Sequence, residues 1–155
     1  MSTLFAFFHH LCAFTLVSAV AVEFILLGQM TAQGGEGATV PLARKLVATD
    51  RVLGIAASLL LVIGLLRVFY FEKGADYYFH SHAFMTKFAV FIAVALLSIV
   101  PTLEFVSWGK ALKAGQAPSV SPRKLRLMKK IIHGEIVAVA IILFCAAIMA
   151  RGGFV

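Results

Sequence analysis

The stretch LFAFFHHLCAFTLVSAVAVEFILL, residues 4–27, decides the fold because it is apolar over most of its length. A helix needs about 20 such residues to cross the hydrocarbon core of a bilayer, which is roughly 30 Å thick. Two adjacent histidines, His9 and His10, and one acid, Glu23, interrupt the apolar run. Ionisable side chains inside a membrane helix are costly and usually mark a functional route. The stretch therefore predicts a membrane-spanning helix whose polar residues serve a purpose.

Three further runs of the same kind follow, at residues 52–70, 84–106 and 131–149. The chain is 61% hydrophobic and 14% charged, whereas soluble domains have about 45–50% apolar and about 25% charged residues. A soluble protein of 155 residues could not bury this much apolar surface. We predict an all-α integral membrane protein in which residues 1–155 form one domain, a four-helix up-and-down bundle. Secretory signal peptides need a positive amino-terminal region, and no Lys or Arg precedes the first run, so we expect a span there.

The net charge of +7 is distributed unevenly between the two ends of the predicted bundle. In an up-and-down chain the first and third loops share one side of the membrane, and most of the basic residues lie in or next to these loops. They are Arg44, Lys45, Arg51, Lys110, Lys113, Arg123, Lys124, Arg126, Lys129 and Lys130. The opposite side has Arg67, Lys73, Lys87 and Arg151. Because short loops rich in Lys and Arg stay in the cytoplasm, we predict a bacterial inner-membrane protein with both termini outside the cytoplasm.

The basic loops also indicate what the protein contacts. Cations near the surface of a membrane attract anionic lipid, each contributing about 1 kcal/mol. Nucleic acid is not an expected partner, because no aromatic residues are interleaved with the charges to form a stacking platform. Small residues at Gly54, Ala57, Ser58 and Gly64 allow close helix packing. Candidate protein partners are a second copy of the chain and a redox partner.

The predicted topology sorts the intramembrane polar residues into two layers. The outer layer comprises His9, His10, Arg67, His80, His82 and Lys87. The inner layer comprises Glu23, Asp50, Arg51, Glu104, His133 and Glu135. Single residues of these sets have plain explanations, such as cations that extend to the lipid headgroups. The convergence of four histidines and two cations at one end exceeds what anchoring requires, so we expect the outer layer to bind something.

Helical phase refines this expectation for the first span. At 3.6 residues per turn, His9 and Glu23 fall on roughly one face of the helix. His10 points about 100° away from His9. We therefore expect that the two adjacent histidines do not both face the centre of the bundle, without choosing which one does.

Haem b is the leading candidate ligand of the outer layer. A haem in a membrane bundle takes imidazoles from two helices, or one imidazole and a weaker ligand, as axial ligands. His9 or His10 together with His80 or His82 would supply the pair. Arg67 and Lys87 would hold the propionates, because charge-assisted bonds to carboxylates are strong. This hypothesis makes the chain a redox protein with its cofactor at the outer end.

Three other interpretations stay open. Copper or zinc at the outer face would use imidazoles such as His10 and His82. A proton or ion route would link the outer layer to Glu23, Glu104 and His133, since carboxylates and histidines are the usual relay groups. The last interpretation is a structural subunit without chemistry. In all three the protein is not an enzyme.

Individual residues also resemble known families. The histidines in FFHHL, Arg51 in ATDRVLGI, Lys87 in HAFMTKFAV and the basic SPRKLRLMKK are similar to features of the HemJ-type protoporphyrinogen oxidases and the CopD-type membrane proteins. The whole chain resembles a bacterial family of predicted four-helix inner-membrane proteins. The oxidase resemblance implies haem b binding and oxidation of a tetrapyrrole, with His10 or His9 as the haem ligand and with Lys87 and Arg51 as required polar groups.

Overall fold

The computed structural model describes residues 2–32, 39–71 and 74–151, and the regular structure in these ranges is helical throughout. Four helices are long and apolar enough to cross a membrane. They are α1 (Ser2–Ala32), α2 (Val40–Leu66), α4 (His82–Ser107) and α6 (Pro122–Ala150). The short helices α3 (Ala75–Phe79) and α5 (Gly109–Lys113) lie in the connections. The predicted all-α bundle is confirmed. Lys73 lies outside the described residues.

The helices begin earlier than the apolar runs predicted. Helix α2 starts at Val40, not Val52, and α6 starts at Pro122, not Ile131. The hydroxyls of Thr39 and Ser121 each accept a hydrogen bond from a backbone N–H of the first turn, and each is followed within two residues by a proline. Ser or Thr at the cap and Pro in the first turn are the usual way to begin a helix. Each helix therefore extends beyond its apolar run.

The far end of α2 changes its winding before the chain leaves the bundle. Residues Arg67–Phe71 continue α2 as a π-helical turn. Single turns of this kind occur most often at functional sites, because they redirect side chains from the regular helical phase. Here the turn carries Arg67.

The four spanning helices form a ring with the order α2, α1, α6, α4. Helix α1 packs most closely on α2, and α4 packs on α6, whereas α2 and α4 touch least among neighbours. Neighbouring helices are antiparallel: His9 of α1 lies beside Gly64 of α2, and Glu104 of α4 pairs with Lys124 of α6. This arrangement is the up-and-down topology that the sequence predicts.

The buried apolar core is concentrated at one end of the ring, next to the α1–α2 and α4–α6 connections. Its largest members include Leu27, Met30, Leu46, Phe105 and Ile132. Arg44 of α2 donates to the backbone carbonyl of Leu112 in α5 across 3.2 Å, which ties the third connection to this end. We call it the basic end, because most of the Lys and Arg residues lie there. The outer surface is apolar, as expected for contact with lipid: Phe14 is 70% exposed.

Candidate functional site

A cavity of about 280 Å³ opens at the end of the bundle opposite the basic end, and all four spanning helices contribute to its wall. We call this the histidine end, because His9 and His10 lie there. The apolar part of the wall comprises Ala13, Leu60, Leu61, Leu65, Val68, Phe84, Phe88, Phe91, Ile142, Leu143, Ala146 and Met149. The polar part comprises His9, His10, Arg67, Tyr78 and Lys87. An apolar wall with few convergent polar groups is typical of a small-molecule site.

His9 is the histidine that faces the interior. Its side chain is half-buried, and its Nδ1 is buried without a hydrogen-bond partner among the residues that the structure describes. Buried polar atoms normally have such a partner. The imidazole lies directly against Gly64 of α2, where a Cβ would stand 3.2 Å from Cε1 of His9. A side chain at residue 64 would therefore require the ring to move by a few tenths of an ångström.

His10 lies at the edge of the same cavity. Its side chain is exposed, and its Nδ1 is 2.6 Å from the backbone carbonyl of Ala6 one turn earlier. The two imidazole rings are nearly perpendicular, with centroids 6.1 Å apart. As expected, the two histidines do not both face the interior: His9 is half-buried and His10 is exposed. Both nevertheless line the cavity, His9 from inside and His10 at its edge.

Two cations from different helices complete the polar wall. Arg67 comes from the π-helical turn and Lys87 from the second turn of α4, and both are half-buried. The Lys87 ammonium lies 5.3 Å from the centroid of the Phe84 ring, within the range of a cation–π contact. His9 interacts electrostatically with both cations. The cavity is therefore a region of positive potential inside an apolar wall.

His80 and His82 do not line this cavity. The His80 ring is held by Asp76 of α3: its Nδ1 lies 2.8 Å from the backbone carbonyl and 3.4 Å from the carboxylate of Asp76. His82 is exposed at the first residue of α4. The predicted axial pair from two spans is thus not assembled. The predicted metal pair is not assembled either, because of its two members, His10 and His82, only His10 faces the cavity. Within residues 2–32, 39–71 and 74–151, no three His, Cys, Asp or Glu side chains form a group that could hold a metal ion.

The inner polar residues divide into a buried and an exposed group. Glu23, Asp50 and Glu135 are buried in the interior, and we call them the carboxyl triad. Arg51 and His133 are exposed, although the His133 ring contacts Phe24 with centroids 5.9 Å apart.

Glu104 belongs to neither inner group. Its carboxylate lies 2.7 Å from Lys124 and accepts a hydrogen bond from the indole of Trp108 at 3.2 Å. It is therefore an interface charge of the basic end.

Two features of the site were not evident from the sequence. Gly64 drew attention only as a small packing residue, yet its lack of a side chain accommodates His9. Tyr78 was not among the predicted site residues, yet it lines the cavity, and its ring lies 5.3 Å from that of Phe84. Both depend on which helices are neighbours, and periodicity within one helix does not contain that information.

The fold and the cavity define a polytopic α-helical membrane protein. More particularly, the chain belongs to the family described as "Predicted membrane protein (DUF2214)", whose model matches residues 1–153. No curated protein and no solved structure matches the chain. The relation to the HemJ-type and CopD-type families stays a prediction.

Proposed function

We propose that the cavity at the histidine end binds haem b and that the protein is a membrane redox protein. The observation that supports this most is the meeting of His9, Arg67 and Lys87, from three different helices, in one apolar cavity. An imidazole is the commonest axial ligand of haem b, and haem supplies one-electron chemistry when bound. His9 would hold the haem iron, because His80 and His82 lie outside the cavity wall and His10 is exposed at its edge.

The two cations suit the carboxylate end of a porphyrin. Arg67 and Lys87 would hold the propionates by charge-assisted hydrogen bonds, which are stronger than neutral ones. The phenylalanines and leucines of the wall would cover the macrocycle. The cavity volume of about 280 Å³ is just below the range of about 300–1,000 Å³ that is usual for ligand sites. A porphyrin would therefore extend from it between α2 and α4, the neighbouring helices that touch least.

The test is the absorption spectrum of the protein purified in detergent after expression with ample haem. We expect a Soret band in the wild type and its loss in His9→Ala. His80→Ala is the matched control, because His80 is exposed and bonded to Asp76, and it should keep the band. A wild type without a Soret band, or a His9→Ala variant with an undiminished one, would overturn the proposal.

The cations next to an apolar wall also favour a second candidate, a non-enzymatic protein that binds an acidic amphiphile such as an anionic lipid. In that case the headgroup would need Arg67 and Lys87 but not His9. Native mass spectrometry of the detergent-purified protein with phosphatidylglycerol separates the two. Retained lipid in His9→Ala and lost lipid in Lys87→Met would favour the second candidate.

We also propose an orientation and a location for the chain. The basic end would face the cytoplasm of a bacterial inner membrane, because short basic loops are retained there. Anionic headgroups would then lie against Lys110, Lys113 and their neighbours, and the histidine end with both termini would face outward. The exposed Gly54 and Ser58 leave part of α2 open to a second copy or a redox partner.

A further inference from the structure

The carboxyl triad is a second polar centre, separate from the cavity at the histidine end. Its members come from three helices: Glu23 of α1 is 1% exposed, Asp50 of α2 is 8% exposed and Glu135 of α6 is 2% exposed. Glu23 interacts electrostatically with the other two. It lies fourteen residues beyond His9, or about 20 Å along the helix at 1.5 Å per residue. The triad therefore forms a site of its own.

The neighbouring helix α4 provides hydrogen-bond partners for two of the three carboxyls. Thr102 donates its hydroxyl to Asp50 Oδ1 across 2.7 Å, and Ser98 Oγ lies 2.7 Å from Glu135 Oε1. Both oxygens of Glu23 are buried, and neither has a hydrogen-bond partner among the described residues. An unpaired buried carboxylate is among the costliest arrangements in a membrane protein.

The contacts of Ser98 indicate where one proton resides. Its Oγ is 2.7 Å from Glu135 Oε1 and also 3.0 Å from the backbone carbonyl oxygen of Val94. A hydroxyl has one hydrogen and a carbonyl oxygen can only accept. Both contacts can be full hydrogen bonds at the same time only when the Glu135 carboxyl carries a proton and donates it to Ser98.

The charged groups on the surrounding helices do not neutralise the triad. On α6, Lys129 and His133 face Phe24, with the Lys129 ammonium 5.7 Å from the ring centroid and the His133 ring 5.9 Å from it. On α4, Glu104 forms an ion pair with Lys124, and on α2 the side chain of Arg51 is exposed. Within the described parts of the chain, no triad member has an ion-pair partner, and no group of three could hold a metal.

We propose that Glu23, Asp50 and Glu135 form a proton-binding site inside the bundle, with Glu23 as the carboxyl that exchanges its proton. Three negative charges without a cation could not stay together in so apolar a place, and carboxyls are the usual relay groups of membrane proteins. On binding, a carboxylate oxygen forms an O–H bond with a proton taken from water, and on release that bond breaks and the proton returns to water. The site does not depend on haem.

Infrared spectroscopy of the full chain in detergent tests the site directly, because a protonated carboxyl has its own C=O stretching band, which shifts in D₂O. We expect the wild type to show such a band at neutral pH and to lose it as the pH rises. Glu23→Gln should remove the part of the band that titrates. Glu104→Gln is the matched control, since Glu104 is paired with Lys124, and it should leave the band unchanged.

The remaining outcomes are also decisive. A wild type without the band at neutral pH, or a Glu23→Gln spectrum identical to the wild type, would overturn the proposal. Titrations in sodium chloride and in choline chloride should coincide. If the band disappears in sodium chloride but not in choline chloride, the site binds a monovalent cation in place of a proton, and the proposal is overturned. If Glu23→Gln does not fold, the D₂O shift of the wild-type band decides by itself whether a buried carboxyl holds a proton, and its absence overturns the proposal.

Discussion

Gly64 of α2 lies directly against the imidazole of His9 in α1: a Cβ at residue 64 would stand 3.2 Å from Cε1 and 3.6 Å from Nδ1 of the ring. The 3.2 Å distance is tighter than ordinary packing, so a side chain at residue 64 would require the ring to move by a few tenths of an ångström, whereas 3.6 Å is an ordinary contact. The absence of a side chain at Gly64 thus determines how deep the His9 ring sits between the helices. In this position the ring interacts electrostatically with the neighbouring cations Arg67 and Lys87.

The first prediction is that Gly64→Ala displaces the His9 ring and weakens ligand binding at the histidine end. Since the added methyl group requires a shift of a few tenths of an ångström, we expect about a tenfold loss of haem affinity, or about 1.4 kcal/mol, measured by titration of the Soret band. Gly54→Ala in the same helix is the control, because a Cβ there meets nothing within 4 Å. Equal affinity in both variants would contradict this role of Gly64.

The second prediction concerns Glu104, which forms an ion pair with Lys124 and accepts a hydrogen bond from the indole of Trp108. Glu104→Gln keeps an acceptor for the indole and loses only a partly exposed ion pair, which contributes about 0–1 kcal/mol. Glu104→Ala leaves the indole N–H of Trp108 without its acceptor, although Trp108 is buried. That loss costs about 1–3 kcal/mol. The unfolding temperature in detergent should therefore be similar for the wild type and Glu104→Gln and clearly lower for Glu104→Ala. A lower unfolding temperature for Glu104→Gln than for Glu104→Ala would be inconsistent with this geometry.

The sequence was sufficient for the number of spans, because a helix crossing lipid must be apolar for about 20 residues. Hydropathy was insufficient for their ends, because the caps at Thr39 and Ser121 and the prolines that follow them begin α2 and α6 ahead of the apolar runs. The amino-terminal turns of α2 and α6 alternate charged residues with the buried Leu46, Leu125 and Met128. Their buried residues pack in the core at the basic end, and their charged residues lower the hydropathy, so hydropathy alone does not detect these turns.

The candidate site was predictable only in part. Phase along one helix predicted that His9 and Glu23 share a face of α1 and that His10 does not, but it did not show which face is interior; in the structure Glu23 is buried and His9 is half-buried. Grouping His80 with the cavity failed, because the short helix α3 holds that ring on Asp76. The convergence of Arg67 and Lys87 depends on the π-helical turn and on the order of the helices around the ring. Neither is encoded in the spacing of polar residues along the chain.

The third prediction is that Ser98→Ala destabilises the bundle more than an equivalent change elsewhere. Ser98 is the hydroxyl partner of the buried Glu135, and a buried polar group deprived of its partner costs about 1–3 kcal/mol. Ser58→Ala is the matched control, because Ser58 is exposed and its hydroxyl donates to the Gly54 carbonyl of its own helix. Ser98→Ala should therefore lower the free energy of unfolding by about 1–3 kcal/mol more than Ser58→Ala, measured by thermal unfolding. Equal losses in the two variants would mean that Glu135 does not need the Ser98 hydroxyl.

The fourth prediction tests the proposed orientation with single cysteines at the two ends of the bundle. Asp76→Cys lies beyond the histidine end and Gln116→Cys lies in the connection at the basic end, and both positions are exposed. The background would be Cys12→Ala with Cys145→Ala, which removes both native thiols. If the basic loops are retained in the cytoplasm, a membrane-impermeant maleimide should label Cys at position 76 in intact cells. It should label position 116 only after permeabilisation. The opposite labelling pattern would invert the topology and place the cavity with His9 on the cytoplasmic side, where a haem would exchange electrons with soluble partners inside the cell.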